Sequence, residues 1–239
     1  MNYETSVDFW GTKRWKLNKK LHRIEGAAVI FVNGNKYWYK NGKPHRDNGP
    51  AVVTNFTKEW WVNGKLHRDD GLPAIDHSDG RQHWYENGLP HRLDGPSMIG
   101  VDGYKCWNVK GIIHKVDGPA IIHSDGRESW FVNGRLHRVG GPAATYPDGT
   151  QKWFVNDILH RKNNPAIEYQ SGREDYYKNG KLHRKNKPAI IFPDGSEEWF
   201  LNGERHCLTG PAIDWINGDK AWFINGKELT EKEFKEINI

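Results

Sequence analysis

The sequence predicts an all-β fold, an elongated single array of β-hairpin repeats forming a solenoid or twisted sheet, closed by a short C-terminal capping helix. Three observations predict it. An anchor aromatic recurs at Trp15, Trp38, Trp60, Trp84, Trp107, Trp130, Trp153, Tyr176, Trp199 and Trp222, with a step of 23 residues throughout from Trp84 onward. A histidine stands seven residues after each of the first nine anchors, and Lys or Arg follows it in eight of those nine cases. Two turn signals, Asn-Gly and Asp-Gly, recur at fixed places in the units. Between Trp38 and Trp60 the step is 22, and Leu72, inserted between Gly71 and Pro73, lengthens the next to 24 and restores the register.

Taken in order, residues 1–14 are expected as a lead-in, with Trp10-Gly11-Thr12 covering the first open edge. Residues 15–226 hold about nine units. In one of them, Pro119 opens a first strand, Ala120 to His123, because a proline cannot donate to a ladder. Ser124-Asp125-Gly126 then reverses the chain into a second strand, Arg127 to Val132, and Asn133-Gly134 turns it again toward Leu136-His137-Arg138. Two residues past each proline the position is apolar (Val52, Ile75, Ile121, Ala144, Ile167, Ile190, Ile213), whereas the next position varies, so one face repeats and the other does not. With two strands per unit at roughly 4.7–4.9 Å, nine units would give a rod on the order of 90 Å. Residues 227–239 break the pattern. There Thr230 and Glu233 form a capping box that opens a helix from Glu231 to about Ile237, and Phe234 and Ile237 are expected to cover the last hairpin.

The unit Tyr85-Glu86-Asn87-Gly88-Leu89-Pro90-His91, with Asp102-Gly103 after it, resembles the MORN repeat. The resemblance covers nearly the whole chain, as a divergent variant: His-Arg stands where the family has His-Gly, and Gly-Pro-Ala where it has Gly-x-Gly. Similar divergent arrays occur in bacteria, phages and large viruses, some of them labelled antitoxins. What the resemblance implies is a binding array.

Composition bounds the rest. With 12 Trp among 239 residues and 36% apolar residues, large aromatics are expected to stabilise the stack in place of a thick aliphatic centre. Cys106 and Cys207 fall at different points of the repeat and make no disulfide framework. With no apolar run of membrane-span length and a polar start, the expected location is the cytoplasm of a bacterial or infected host cell. The net charge of +5 lies in residues 1–120, with 18 Lys and Arg against 13 acids, while residues 121–239 carry 17 of each.

The repeated histidines are too far apart for a metal site: equivalent copies lie ~10 Å apart, whereas zinc needs its nitrogens at ~2.0–2.1 Å. Nor does a residue used nine times make a distinguished acid or base. We therefore expect no catalytic residue, cofactor, metal or small-molecule substrate. Trp38, Trp84, Trp130, Trp153, Trp199, His91, His137, His160 and His183 are assigned to the scaffold, with each histidine against a neighbouring Trp and each arginine on turn carbonyls or nearby acids. The acids two residues past the cation in early units (Glu25, Asp70, Asp94, Asp117) give way to Gly140, Asn163, Asn186 and Thr209. Cations then accumulate. Arg138, Arg161, Lys162, Lys181, Arg184, Lys185 and Lys187 are the candidate partner contacts, with Trp61, Tyr104 and Trp215 as aromatics outside the repeated slots. The partner expected is a protein, bound by a scaffold, an antitoxin or immunity protein, or a phage-type inhibitor. The alternative is a polyanion, nucleic acid or anionic lipid, held by the Arg/Lys stripe, with bases stacking on the aromatics.

Overall fold

A computed structural model of the chain describes residues 3–237. Short strands alternate with turns and bends along those residues; twenty-two strands belong to the main antiparallel sheet, eight further two-stranded ladders accompany it, and there is one helix. None of this helix is long and apolar enough to cross a membrane. The chain divides into two compact units, Met1–Lys115 with Ala120–Ser124, and Val116–Pro119 with Asp125–Ile239.

A repeat of the second unit shows the local logic. Ile167–Glu168 pairs with Glu174–Asp175 across the Ser171-Gly172 turn, and Asp175 pairs onward with Ile190 of the next repeat. A second ladder, Tyr177–Lys178 against Lys181–Leu182, closes around Asn179-Gly180. Both turn residues have positive φ, 51° and 78°, the pair of values that a two-residue hairpin with matched twist demands and that Asn-Gly supplies at least steric cost.

Each repeat therefore has two ladders, where the sequence pattern suggests one continuous second strand. The break falls on the anchor aromatic. Tyr176 donates its amide to Ala189 of the next repeat at 2.7 Å, while its carbonyl accepts the His183 amide at 2.9 Å. The same two bonds recur at Trp38, Trp60, Trp153 and Trp199. An anchor so engaged cannot also serve the ladders on either side of it.

In seven repeats the alanine after the opening proline is fully buried, and Ser97 is its equivalent after Pro96. Ala51, Ala74 and Ala120 of the first unit and Ala143, Ala166, Ala189 and Ala212 of the second have no exposed surface. The anchor rings are less covered; Trp84 is buried, while Trp38, Trp130, Trp153 and Trp199 are half-buried. The aromatic slabs expected to fill the centre thus flank a narrow seam of Ala and Ile.

In the first unit the lead-in is itself a strand: Glu4–Val7 pairs with Lys13–Leu17, Glu4 opposite Lys16. Trp10, expected to cover the edge, is exposed and lies edge-on to Phe9. In the second unit Lys227–Leu229 is a strand paired with Trp222–Ile224, so the end segment becomes helical only at Glu231–Ile237. The capping box forms as expected: the Thr230 amide donates to Glu233 Oε2 at 2.7 Å and the Glu233 amide to Thr230 Oγ1 at 3.2 Å. Phe234 is buried, but Ile237 remains 59% exposed and covers nothing. Met1, Asn2, Asn238 and Ile239 lie outside the described residues.

Because the alanine seam has no spare volume, Ala166→Leu is expected to destabilise the protein by about 1–3 kcal/mol through overpacking. Thermal denaturation read by circular dichroism checks this; a melting temperature equal to the parent's would show that the seam can expand.

His83 offers a second handle. Burial, then the His77 ring 5.4 Å away, then Arg81 lower its pKa below 6.5, with Asp76 on the paired strand opposite Gln82. The unfolded chain then binds a proton at higher pH than the folded one, so stability is expected to fall as pH drops below about 6.5. His83→Gln should flatten that dependence in melts taken across the range.

Candidate binding surface on the loop edge

The repeated histidine turns out to be a splint between repeats. Its Nδ1 accepts the backbone N–H at the turn of the following repeat: His45 from Asn63 at 3.0 Å and His91 from Lys110 at 3.1 Å in the first unit. In the second, His137, His160, His183 and His206 accept from Asn156, Asn179, Asn202 and Asn225 at 3.1–3.3 Å. A nitrogen that accepts carries no proton, so the neutral ring bears its hydrogen on Nε2. This bond, which the sequence reading did not include, holds successive turns in register.

The cation after the histidine lies over the anchor ring of its own repeat. The guanidinium carbon is 4.0 Å from the ring centre for Arg46 on Trp38 and Arg92 on Trp84, 4.2 Å for Arg138 on Trp130, and 3.7 Å for Arg161 on Trp153 and Arg184 on Tyr176. The same guanidinium donates Nη1 to the proline carbonyl four residues on, at 3.3, 3.0 and 3.2 Å for Arg138, Arg161 and Arg184. Its outer face meets the glycine before that proline. A Cβ added at Gly141 would stand 3.0 Å from the Arg138 guanidinium carbon, and one at Gly95 2.9 Å from that of Arg92. Arginine is thus clamped between ring and glycine.

Beyond the clamp, the loop is free to vary. In the first unit two of its cations meet acids: Arg68 pairs with Asp70 at 2.8 Å and Arg92 with Asp94 at 2.9 Å, while His67 Nε2 lies 2.6 Å from Asp69 Oδ1. The hydrogen bond from Arg92, with its charge, holds the Asp94 carboxyl below the usual carboxylate range. Two loops of the second unit differ. Asn164 and Lys187 replace the glycine before the proline, and Asn163 and Asn186 take the left-handed conformation at φ 67° and 58°. Between these loops lies a groove of about 630 Å³, lined by Arg161, Lys162, Lys178, Arg184, Lys185 and Lys187 with the Tyr176 and Tyr177 side chains, and no acid lines it. Arg161 is partly neutralised by Glu168 at 2.5 Å; among the described residues the four lysines have no carboxylate partner. The next groove, about 540 Å³, shares Arg184 and Lys185, and its lining adds Trp199, Leu201, Cys207 and Leu208 with the polar Asn186, His206 and Thr209.

No family model matches the chain, and no curated protein matches it. What the surface can do therefore rests on its own geometry.

Of the candidate partner contacts, the structure brings Arg161, Lys162, Arg184, Lys185 and Lys187 together around one groove. Arg138 is a clamp on Trp130, one repeat earlier. Lys181 lines neither groove and pairs across its ladder with Lys178, the cation that the sequence pattern missed. A signal for Lys178 exists: two residues past the anchor, the other repeats of this unit hold Val132, Val155, Leu201 and Ile224. The aromatic candidates do not join the patch. Trp61, in the first unit, donates Nε1 to Glu59 at 2.7 Å. Tyr104, also there, is half-buried beside Cys106 and His123, and burial, then the neighbouring thiol, push its phenol up to about 12. Trp215, in the second unit, is 42% exposed and lines neither groove.

The clamp and the loop make separable predictions. Arg138→Ala should cost about 1–3 kcal/mol, combining ~0.5–2 for the ring contact with ~0.5–1.5 for the hydrogen bond. Lys185→Ser, beyond the clamp, should leave the melting temperature within error. Equal effects from the two substitutions would contradict this division between scaffold and loop.

Proposed function

We propose that this chain is a non-enzymatic protein-binding repeat array, a divergent MORN-like protein whose contact surface is the loop edge of the second unit. One observation carries the reading. The strictly repeated residues are spent on holding repeat to repeat: anchor amide on alanine carbonyl, histidine on the next turn, arginine on anchor ring. Chemistry that differs between repeats is displaced to the exposed loop beyond the arginine, where it can recognise something without disturbing the scaffold. Such a surface suits a cytoplasmic protein that acts by occupying another, as an antitoxin, an immunity protein or a phage-encoded inhibitor does.

A second reading, a polyanion binder, is favoured by the acid-free lining of the first groove. It differs in what salt does. Neutralisation of several phosphates makes affinity fall steeply between ~50 and ~200 mM salt.

The experiment is a tagged pull-down from source-cell extract, with and without nuclease, of the parent and of a variant carrying Lys162→Glu, Lys178→Glu, Lys185→Glu and Lys187→Glu. A discrete protein that survives nuclease and is lost from the folded variant is the expected result. Retention that vanishes with nuclease would replace this reading with the polyanion one, and retention of no protein would end it.

A further inference from the structure

The two grooves of the second unit are the same site built one repeat apart, with opposite chemistry. Positions 23 residues on from Lys178, Arg184, Lys185 and Lys187 hold Leu201, Cys207, Leu208 and Gly210. A wall of four cations becomes a wall of Leu201, Cys207 and Leu208, facing Arg184 and Lys185, while the anchor ring (Tyr176, then Trp199) and the histidine (His183, then His206) are kept. The change occurs in the other direction as well. One repeat back from Lys162 and Lys178 stand Val139 and Val155, exposed by 87% and 39%. The unpaired positive charge is therefore densest in one repeat interval, thins to Arg184 and Lys185 in the next groove, and gives way on either side to aliphatic groups, of which Val139, Val155 and Leu208 are exposed.

We infer that this edge binds an extended segment of a partner protein in which an acidic centre is flanked on each side by a large apolar residue about three positions away. This deepens the protein-binding reading and rests on it. The spacing follows from the scaffold. Two strands per repeat advance ~10 Å, and an extended chain advances ~3.3 Å per residue, so equivalent grooves are reached by every third residue. Charge decides the class of partner. A nucleic-acid backbone offers a phosphate at every step and needs cations to continue along the track; here the second groove keeps only Arg184 and Lys185, on the wall it shares with the first, and its far wall turns to Leu201 and Leu208, which offer a phosphate no partner. Side chains of a peptide can change from acid to leucine within one repeat interval. The acidic centre meets the free lysines and the exposed donors of Arg184, and the flanking apolar groups meet Val139 and Val155 at one end and Leu201 and Leu208 at the other.

The test is fluorescence anisotropy on the full chain with a short labelled peptide of the order Leu-x-x-Glu-Glu-x-x-Leu, the x positions being Ser and Gln. Its comparators are a peptide of the same composition with both leucines at one end, and a thymidine oligonucleotide. The ordered peptide should bind at least about tenfold more tightly than the scrambled one. Lys178→Leu with Lys185→Leu, which places in the first groove the two leucines that stand one repeat on, should weaken the requirement for glutamate, so that the advantage of the glutamate peptide over one with leucine in their place shrinks at least about tenfold. Leu208→Lys should weaken the ordered peptide while leaving its glutamates essential. Melting curves confirm that each variant is folded. Equal binding of ordered and scrambled peptides, tighter binding of the oligonucleotide, or an unchanged glutamate requirement in the double variant would each overturn the inference. Should the peptides fail while extract still yields a protein lost from the four-lysine variant, the spacing rule falls and the protein-binding reading stands. Failure of both would remove both.

Discussion

The structure depends on one hydrogen bond repeated along the chain: a histidine Nδ1 accepting a backbone amide from the next repeat's turn, as from Asn179 to His160. That amide belongs to a residue held at positive φ, where its N–H points away from its own hairpin and would otherwise be left to water. Histidine suits the task because one ring nitrogen can accept while the other stays a donor. The Asn-Gly turn and the histidine are therefore a single device divided between neighbouring repeats, and each repeat needs the one that follows it. The anchor amide on the alanine carbonyl adds a second link of the same kind, and the alanine seam sets how closely the links can draw the repeats together.

The arginine has a different place in this economy of contacts. A basic residue following nearly every histidine looks like a stripe for an anionic ligand. In the folded chain its guanidinium lies on an aromatic face, donates to a proline carbonyl and is backed by a glycine. The charge remains, but its planar surface and one of its donors are already committed. The lysines of two later loops are the cations left open, because those loops lack both the acids found in the first unit and the glycine that elsewhere backs the guanidinium.

What could be read from the sequence follows from how local each feature is. The period, the Asn-Gly and Asp-Gly reversals, the apolar position past each proline and the Thr230–Glu233 cap depend on residues within one turn of one another, and all are present as read. The break of the second strand at Tyr176 depends on an alanine thirteen residues later in the next repeat, so no window within one unit reveals it. The lead-in strand Glu4–Val7 was equally hidden, since its four exposed residues carry no alternation and take their pairing from Lys13–Leu17. For the candidate site, the loop cations were legible as departures from the repeat. Lys178 departs from the aliphatic residues of its unit in the same way, but it stands on the ladder beneath the loop, and only the groove joins the two.

The equivalence of neighbouring grooves has a consequence for how such a chain can change. A globular binding site is a single composition, and altering one wall disturbs the rest. Here each groove inherits its frame from the repeated anchor, alanine and histidine and its chemistry from the three or four positions that differ most between repeats. On the proposed reading recognition is spelled in separate letters, and point substitutions at Lys178, Leu201 or Leu208 edit one letter at a time, while Lys185 is shared by two. A lineage carrying such a gene could follow a changing target by small spelling corrections, with the grammar of the fold left intact.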